Sequence, residues 1–271
     1  MEYVNVQGEE IPALGFGTWQ ITGPACQRAV LDALRIGYRH IDTAQAYENE
    51  RQVGEGIAAS DVDREEIFLT TKVWHRNVSH DATIRTTEQS LNRLDTDYLD
   101  LLLIHWPVED VPVEETLDAM LELKEQEKVR NIGVSNFPPS KLQQAVDHAP
   151  IICNQVEYHP FLGQRRLLEL SEEHDLMLTA YSPLARGRVL QDSTLETIGG
   201  RHDKSPAQVV LRWLIQQERV AAIPKAASHD HRVSNIDIFD FELSDDEMDD
   251  IFALDKGLRI IDPSFAPVWE D

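Results

Sequence analysis

Short hydrophobic runs alternate with amphipathic segments along most of the chain. The runs are rich in β-branched and aromatic residues, and they lie at residues 13–18, 38–42, 67–73, 98–105, 129–135, 152–158, 176–181 and 220–224. Between them, apolar residues recur at helical spacing in segments that include residues 25–36, 81–94, 112–126, 141–146, 164–174 and 206–217. The stretch at 101–104 is apolar at every position, which is typical of a strand buried on both faces of a parallel sheet.

This alternation of eight strand-like runs with helices predicts an α/β fold of the (β/α)8 type, the TIM barrel. The alternative is an open, doubly wound sheet with a second domain. No Pro/Gly/Ser-rich linker marks a boundary, so we expect one domain over residues 1–271. A short leading stretch at 3–11 predicts a separate hairpin. The aromatic, proline-bearing tail at 261–269 is expected to fold over the barrel rim, with a frayed terminus as the alternative.

The negative net charge of the chain argues against some classes of binding partner. Its 271 residues include 48 Asp+Glu against 25 Lys+Arg, which gives a formal net charge of −23. A surface this acidic repels phosphate and anionic lipid, so we expect neither nucleic acid nor a membrane as partner. Only seven of the basic residues are Lys. This composition favours adaptation to a high-salt cytoplasm over an ordinarily acidic enzyme, because salt screens the repulsion between carboxylates.

Several common motifs are missing from the sequence. The chain has two distant cysteines, no leader-like N-terminus and no apolar segment long enough to span a bilayer, which together predict a cytoplasmic protein. Neither Gly15/Gly17 nor Gly54/Gly56 fits the strand–turn–helix fingerprint of a dinucleotide-binding Rossmann fold. No P-loop or nucleophile elbow is present. A histidine pair at 229 and 231 lacks a third ligand nearby, so we expect no metal site.

Ionisable residues stand at the predicted C-terminal ends of several strands, where the active sites of βα barrels lie. Four of them form a candidate reaction set: Asp42, Tyr47, Lys72 and His105. The Lys72 ammonium is expected to lower the pKa of the Tyr47 phenol, with Asp42 holding Lys72 in place while weakening this effect. His105 is placed to hydrogen-bond a substrate oxygen. The set suits proton transfer to a carbonyl oxygen, and a reductase would also need a hydride-carrying cofactor.

Three tryptophans follow the first, third and fourth predicted strands. Trp19, Trp74 and Trp106 predict an apolar substrate pocket, and packing of the rim alone is the alternative. A different enzyme class is also open, because Lys72 at a barrel strand end could form a Schiff base as in an aldolase. The neighbouring Asp42 argues against that chemistry, since an opposite charge keeps the amine protonated and non-nucleophilic.

Six segments carry, in order, the motifs of a known family: residues 37–44 with Tyr47, Asn49 and Glu50, then 99–107, 132–137, 154–160, 181–184 and 223–225. Through these segments the chain resembles the aldo-keto reductases over nearly its whole length. It is similar to the prokaryotic group that includes the 2,5-diketo-D-gluconate reductases. These matches are too long and too specific to have arisen by chance.

The resemblance implies a (β/α)8 barrel that reduces aldehydes and ketones with NADPH and without a Rossmann fold. It makes Tyr47 the general acid, Lys72 and Asp42 its tuning pair, and His105 the residue that orients the carbonyl. It implies contacts to the nicotinamide, the pyrophosphate and the adenosine phosphate from Ser135, Asn136, Gln155, Tyr181, Ser182, Leu184, Lys225, His231 and Asn235. In the tail, Trp269 joins the other three tryptophans in the predicted pocket.

The sequence departs from the family pattern beside the predicted adenosine site. Ala226 stands where the family often has Ser, and His231 stands where it usually has Arg. The adjacent Arg232 points elsewhere if this stretch is helical. Fewer donors around the phosphate predict that NADPH is preferred with appreciable NADH use.

The segment after Trp106 is short and reaches a new helix by about residue 113, which predicts an open, tolerant pocket. The expected partner is a small carbonyl compound, and the expected state is a monomer. A non-catalytic NADP-binding regulatory barrel is the alternative function.

Overall fold

A two-stranded antiparallel hairpin begins the chain in the computed structural model, which describes residues 1–270. Its strands are β1 (Tyr3–Val6) and β2 (Glu9–Pro12). The turn holds Gln7 and Gly8 at φ values of 47° and 87°, a left-handed geometry that follows the strand twist. Gln7 Nε2 donates to the carbonyl oxygens of Ile151 (2.9 Å) and Asp175 (3.1 Å), just before two barrel strands. The predicted hairpin is therefore present and lies against the N-terminal end of the barrel.

Each of the eight hydrophobic runs contains one strand of a parallel sheet. The strands are β3 (Phe16–Gly17), β4 (His40–Asp42), β5 (Phe68–Val73), β6 (Leu99–Ile104), β7 (Val129–Ser135), β8 (Cys153–Glu157), β9 (Met177–Tyr181) and β10 (Val220–Ala222). They pair in chain order from β3 to β10. The sheet closes between its first and last strands through Gly15 N to Ala222 O (2.8 Å) and Gly17 N to Pro224 O (3.1 Å). The predicted barrel is confirmed and the open, doubly wound sheet is wrong.

Helices fill the connections between strands and cover the barrel. They are α1 (Gly23–Ile36), α2 (Glu50–Ala58), α3 (His80–Leu94), α4 (Val113–Glu125), α5 (Pro139–His148), α6 (Arg165–Glu173), α7 (Ser193–His202), α8 (Pro206–Ile215), α9 (His229–Ile236) and α10 (Asp245–Phe252). Six match the predicted amphipathic segments to within a few residues, while α2, α7, α9 and α10 do not correspond to any of those segments. Two begin with capping boxes, Ser205 with Gln208 and Ser244 with Glu247, which pair helix-end N–H groups that would otherwise lack partners.

The segment after α10 crosses the C-terminal rim of the barrel. Leu258 N donates to Phe161 O (2.8 Å), and Ile261 N donates to Glu157 Oε2 (2.8 Å). Further along, the Phe265 ring packs edge-on against Trp106 with centroids 5.5 Å apart. The prediction that the tail folds over the rim is confirmed. Asp271, the last residue of the expected 1–271 domain, lies outside the described residues, and within residues 1–270 no helix is long and apolar enough to cross a membrane.

Candidate active site

The four residues of the candidate reaction set meet at one side of the barrel mouth. Asp42 is the last residue of β4, and Lys72 lies near the end of β5. His105 follows β6 directly. Tyr47 closes the short 3-10 helix Gln45–Tyr47 that follows β4. Because neighbouring parallel strands end at the same edge of the barrel, residues as far apart in sequence as Asp42 and His105 come together at one site.

Lys72 and Asp42 form a fully buried ion pair. Lys72 Nζ donates to Asp42 Oδ1 (2.6 Å) and to the carbonyl oxygen of Thr43 (2.8 Å). The second carboxylate oxygen, Asp42 Oδ2, accepts from Gln155 Nε2 (2.8 Å). Burial lowers the pKa of Lys72, and the Asp42 carboxylate opposes that effect. The pair therefore fixes the position of the Lys72 amine, with Gln155 holding the carboxylate from the opposite side.

Tyr47 lies beside this pair, with Lys72 Nζ 5.1 Å from the centroid of its ring. Burial raises the pKa of the Tyr47 phenol well above its ordinary value, and the Asp42 carboxylate raises it further. Burial and Asp42 therefore outweigh any lowering of this pKa by the Lys72 ammonium, and the effect of Lys72 itself stays a prediction. Asp42 lies 2.6 Å from Lys72 Nζ and offsets part of its charge, as expected from the sequence. Tyr47 is thus held as a protonated phenol, which is the form that donates a proton.

His105 lies between the Tyr47 phenol and an indole ring. Its ring centroid is 5.7 Å from that of Tyr47 and 5.2 Å from that of Trp74, both edge-on. Burial holds the pKa of His105 well below its usual range, and the Lys72 charge lowers it further. Among the described residues, no group hydrogen-bonds the buried His105 Nδ1 atom. A neutral imidazole in this position can donate one N–H to a polar oxygen without adding a charge.

A chain of hydrogen bonds joins the ends of the next three strands. Ser135 Oγ donates to Gln155 O (2.8 Å), and Asn136 Nδ2 donates to His105 O (2.9 Å). Tyr181 OH donates to Asn136 Oδ1 (2.6 Å), which fixes the Tyr181 ring at the mouth of the barrel. Asn136 has a φ of 63°, a left-handed conformation that Asn tolerates better than most residues. The network fixes the predicted nicotinamide residues and leaves Gln155 Oε1 without a partner among the described residues.

One cavity of about 800 Å³ connects these residues with the far side of the barrel mouth. Its lining includes Ser182 and Leu184 after β9 and Lys225 after β10. Fourteen of the seventeen residues assigned to the site from sequence line it or pair directly with residues that do: Trp19, Asp42, Tyr47, Lys72, Trp74, His105, Trp106, Ser135, Asn136, Gln155, Tyr181, Ser182, Leu184 and Lys225.

His231 and Asn235 do not line this cavity. Both lie on α9, where His231 is exposed and its backbone N–H is bonded to the Ser228 cap (3.3 Å). Arg232 points away from the cavity as expected for a helix, because it is buried and donates to Asp32 Oδ2 (2.8 Å) and Ala226 O (2.9 Å). The predicted contacts of His231 and Asn235 to the cofactor therefore stay predictions.

Trp269 also lies outside the cavity lining. It packs on the outer side of Trp106, with centroids 6.2 Å apart, and Arg259 Cζ lies 3.8 Å from its ring centroid. Two earlier tail residues reach the pocket: Ile261 lines the cavity, and Phe265 packs against Trp74 (5.7 Å between ring centroids) and Trp106. Sequence reasoning placed the tail over the rim but did not single out Phe265, because only the path of the chain after α10 determines which aromatic residue reaches the pocket.

Two further lining residues had no signal in the sequence. Gln45 Oε1 accepts from Trp74 N (3.1 Å) and Asn77 Nδ2 (3.0 Å), and so fixes the loop that carries Trp74. Arg186 lies with its guanidinium 5.0 Å from the Trp19 ring centroid. Ala185 and Arg186 have positive φ values of 48° and 52°. No local sequence motif predicts this backbone conformation, so the position of Arg186 could not be predicted.

The residues around the cavity fit a phosphate-bearing dinucleotide. Two cations, Arg186 and Lys225, line one side of it although the chain has a formal net charge of −23. The Tyr181 ring and the Gln155 amide, whose Oε1 accepts no hydrogen bond from the described residues, line the same cavity and suit a flat ring that bears an amide. Within residues 1–270, no group of three His, Cys, Asp or Glu side chains is arranged to hold a metal ion.

Comparisons with known proteins agree over almost the entire chain. The model described as the Aldo/keto reductase family matches residues 13–256. A glyoxal reductase of Bacillus subtilis (strain 168) is 43% identical over 256 residues, which are 93% of this chain and 92% of the relative. A crystal structure that carries the name 2,5-diketo-D-gluconic acid reductase B has a TM-score of 0.98 at 45% identity, covering 100% of this chain and 98% of that one. The aldo-keto reductase of Bombyx mori in complex with NADP has a TM-score of 0.91 at 33% identity, covering 97% and 95%.

Proposed function

The chain belongs to the aldo/keto reductase family, and from this membership we propose that it reduces small aldehydes and ketones to alcohols with NADPH. The observation that carries the proposal is the convergence of Tyr47, the Lys72–Asp42 pair and His105 on one cavity. The same cavity holds Tyr181 and the partner-free oxygen of Gln155. All of these residues come from one chain, so we expect a monomer to be active.

The proposed cofactor site follows the cavity from the tetrad to the last strand. Tyr181 offers a ring on which the nicotinamide stacks, and Ser135, Asn136 and Gln155 offer polar groups for its amide. Ser182 and Leu184 lie along the path of the pyrophosphate, and the Lys225 ammonium meets the adenosine 2′-phosphate. When bound, NADPH supplies the hydride that the protein itself lacks.

The reacting residues of the chain act on the substrate oxygen. His105 donates a hydrogen bond from its neutral imidazole and so orients the carbonyl group against the Tyr47 hydroxyl. Tyr47 then gives its proton to the oxygen as negative charge develops there, because an alkoxide is a stronger base than a phenolate. The Lys72 ammonium, fixed by Asp42 at 2.6 Å, stabilises the phenolate left behind.

The substrate pocket favours small, uncharged carbonyl compounds with an apolar or flat side. Trp19, Trp74 and Trp106 line it, and the connection from Trp106 to α4 at Val113 is as short as the sequence predicted. The named relatives act on glyoxal or carry the name of a diketo acid, and both compounds have two carbonyl groups. We propose α-ketoaldehydes and aryl aldehydes as the first substrates to test, with diketo acids and sugars after them.

Replacement of Tyr47 by Phe tests the reaction directly. We expect Tyr47→Phe to lower kcat by about two to four orders of magnitude, since a general acid contributes roughly that much. The measurement is loss of NADPH absorbance at 340 nm with a carbonyl panel in molar salt. Binding of NADPH, followed by fluorescence, should stay close to wild type in the variant. Wild-type protein that binds NADPH without turning over any carbonyl would instead support a regulatory barrel.

Cofactor preference tests the two departures beside Lys225. Ala226 is buried and offers no hydroxyl, and His231 stands exposed on α9 in place of a guanidinium. We expect NADPH to bind more tightly than NADH, by a ratio of dissociation constants below about a thousandfold, because fewer charged donors surround the phosphate. Titration of both cofactors measures the ratio. A larger preference would contradict the expected use of NADH, and a preference for NADH would contradict the assignment of Lys225 to the phosphate.

A further inference from the structure

One buried carboxylate at the barrel mouth has no part in the proposed reaction. Glu157 is the last residue of β8, is 1% exposed and does not line the cavity. Its neighbour in the sheet register is Tyr181, whose ring faces the cavity. A carboxylate this deeply buried needs partners for both oxygens, so its contacts indicate what it does.

The partners of Glu157 are backbone groups of the C-terminal segment. Ile260 N donates to Oε1 (2.8 Å) and Oε2 (3.1 Å), and Ile261 N donates to Oε2 (2.8 Å). No Lys or Arg of the described chain forms an ion pair with it. Hydrogen bonds to an ionised acceptor are shorter and stronger than neutral ones, so these contacts hold the segment tightly at 260–261.

His159 completes the attachment from the other side. Its side chain is completely buried, and Nε2 lies 3.0 Å from Glu157 Oε1. The stretch that follows His159 also receives the segment, because Phe161 O accepts from Leu258 N (2.8 Å). The backbone N–H groups of Leu258, Ile260 and Ile261 are therefore bonded to the Glu157 carboxylate and the Phe161 carbonyl oxygen, and the Leu258 and Ile260 side chains also pack against the core.

The same segment supplies part of the substrate pocket a few residues later. Ile261 lines the cavity, and Phe265 packs against Trp74 and Trp106. The second attachment lies beyond Phe265, where Glu270 accepts from the Ser140 backbone N–H (2.9 Å). The position of Phe265 over the pocket thus depends on one attachment before it and one after it.

We propose that Glu157, oriented by His159, is a positioning residue that determines substrate specificity by fixing segment 258–265. The carboxylate holds Ile261 and Phe265 where they close the pocket over the apolar side of a substrate. Large aryl substrates then gain contacts that a small substrate does not reach. The kinetic part of this inference rests on the proposed reductase activity, whereas the attachment of the segment does not.

The first test replaces the carboxylate and uses a second buried carboxylate as control. Glu157→Gln keeps one acceptor oxygen and turns an amide group toward a backbone N–H, which breaks the double attachment. Asp100→Asn is the control, because Asp100 is also buried and accepts from a backbone N–H, that of Leu69 (3.0 Å), but lies at the start of β6, at the opposite end of that strand from the barrel mouth. We expect the KM for benzaldehyde to rise about tenfold in Glu157→Gln alone, with kcat and the KM for methylglyoxal within about threefold of wild type.

A second pair of variants leaves Glu157 in place. Ile261→Pro removes the N–H that donates to Oε2, whereas Ile261→Ala removes the same side chain and keeps that N–H. The proline variant should reproduce the benzaldehyde effect of Glu157→Gln beyond that of the alanine variant. This pair remains informative even if Glu157→Gln fails to fold.

Limited trypsin digestion measures how firmly segment 258–265 is attached, and it does not depend on enzymatic activity. Cleavage after Lys256 and Arg259, measured by mass spectrometry, should be at least about fivefold faster in Glu157→Gln and Ile261→Pro than in their controls, as local opening becomes easier. Equal cleavage rates, or equal losses for both aldehydes, would overturn the proposal. If the wild type turns over no carbonyl at all, the proposed function fails, and the digestion rates still decide whether Glu157 holds the segment.

Discussion

At the scale of single residues, the site is organised around one buried ion pair. The Lys72 amine and the Asp42 carboxylate are 2.6 Å apart with essentially no solvent access. A pair like this is costly to desolvate and gives little net stability, so its value lies in fixing positions. It fixes an ammonium 5.1 Å from the Tyr47 ring, where its charge favours the phenolate that forms on proton transfer, while burial and Asp42 keep the resting phenol protonated. The protonated ground state of Tyr47 and the charged state of Lys72 are therefore compatible.

The buried imidazole of His105 makes the stability of the protein depend on pH. Its pKa is held well below the ordinary value, chiefly by burial, so the folded protein does not take up the proton that the unfolded chain takes below about pH 6.5. Stability is complete above that pH and falls as the pH decreases toward the folded-state pKa, by up to about 1.4 kcal/mol per pH unit for one proton. The buried His40, whose pKa burial also lowers, adds to the same slope.

The variant His105→Asn tests this dependence. Its free energy of unfolding, from urea titrations between pH 5 and 7 at constant salt, should fall less steeply with decreasing pH than that of the wild type. The difference in slope should approach one proton, or about 1.4 kcal/mol per pH unit. Parallel profiles for the two proteins would show that His105 is protonated as easily in the folded state as in the unfolded chain.

The reacting residues were predictable because each lies at the end of a strand or shortly after one, within a distinctive motif. Asp42, Lys72 and His105 needed only the rule that barrel sites lie at strand ends. That rule does not identify Phe265 and Gln45, because their roles depend on the path of the C-terminal segment and on the conformation of a loop. The net direction of the Tyr47 pKa could not be predicted from the motif, because the sequence shows that Lys72 and Asp42 are near but not how strongly burial acts on the phenol.

At the scale of elements, one close contact sets the distance between two outer helices. An ideal Cβ on Gly54 of α2 would lie 2.3 Å from the carbonyl oxygen of Leu94 at the end of α3. No real atom pair tolerates that separation, so only glycine allows this approach. The same glycine looked like part of a weak dinucleotide motif in the sequence, and its role in the structure is helix packing.

Two glycine-to-alanine variants separate packing from helix propensity. Gly54→Ala should destabilise the protein by roughly 1–3 kcal/mol or more, because the added methyl group forces α2 away from backbone atoms that cannot yield. Gly200→Ala, in α7 with open space around the new methyl group, should stabilise it by roughly 0.5–1 kcal/mol. Thermal unfolding of both variants measures the contrast. Similar shifts for the two would mean that the helix contact adapts at little cost.

The elements were predicted unevenly for identifiable reasons. Strands in the barrel are continuous apolar runs and therefore conspicuous in the sequence, as β6 (Leu99–Ile104) shows. Helices α9 and α10 have only 8 residues each, and α9 carries two apolar positions, Val233 and Ile236, so each is too short to show a helical period clearly. Their start signals are local caps, Ser228 and Ser244, which are easily overlooked without the surrounding structure.

At the scale of the whole molecule, the excess of negative charge is the dominant property. A formal net charge of −23 on 271 residues produces repulsion across the surface that the fold must overcome. Many acidic residues are unpaired, whereas Lys204 contacts two of them at once, Asp237 and Asp240. The sequence-based hypothesis of adaptation to high salt remains a prediction of this charge balance.

Salt should therefore stabilise the protein well beyond ordinary ionic strength. The screening length falls from about 10 Å at 0.1 M salt to about 3 Å at 1 M, which removes most repulsion between surface carboxylates. We expect Tm to rise by several degrees between 0.1 and 2 M KCl, in differential scanning fluorimetry. Sucrose at matched water activity is the control for simple exclusion effects. Full stability in low-salt buffer would contradict adaptation to salt.

The hydrogen bonds that close the barrel between β3 and β10 also constrain the order in which the chain can fold. They join residues such as Gly15 and Ala222, which most of the polypeptide separates. Few contacts in the molecule have a larger sequence separation. During synthesis, β3 cannot pair with β10 until β10 has emerged from the ribosome. Until then, the edge formed by residues 13–17 stays unpaired and open to chaperones, and ring closure is the step that ends its exposure.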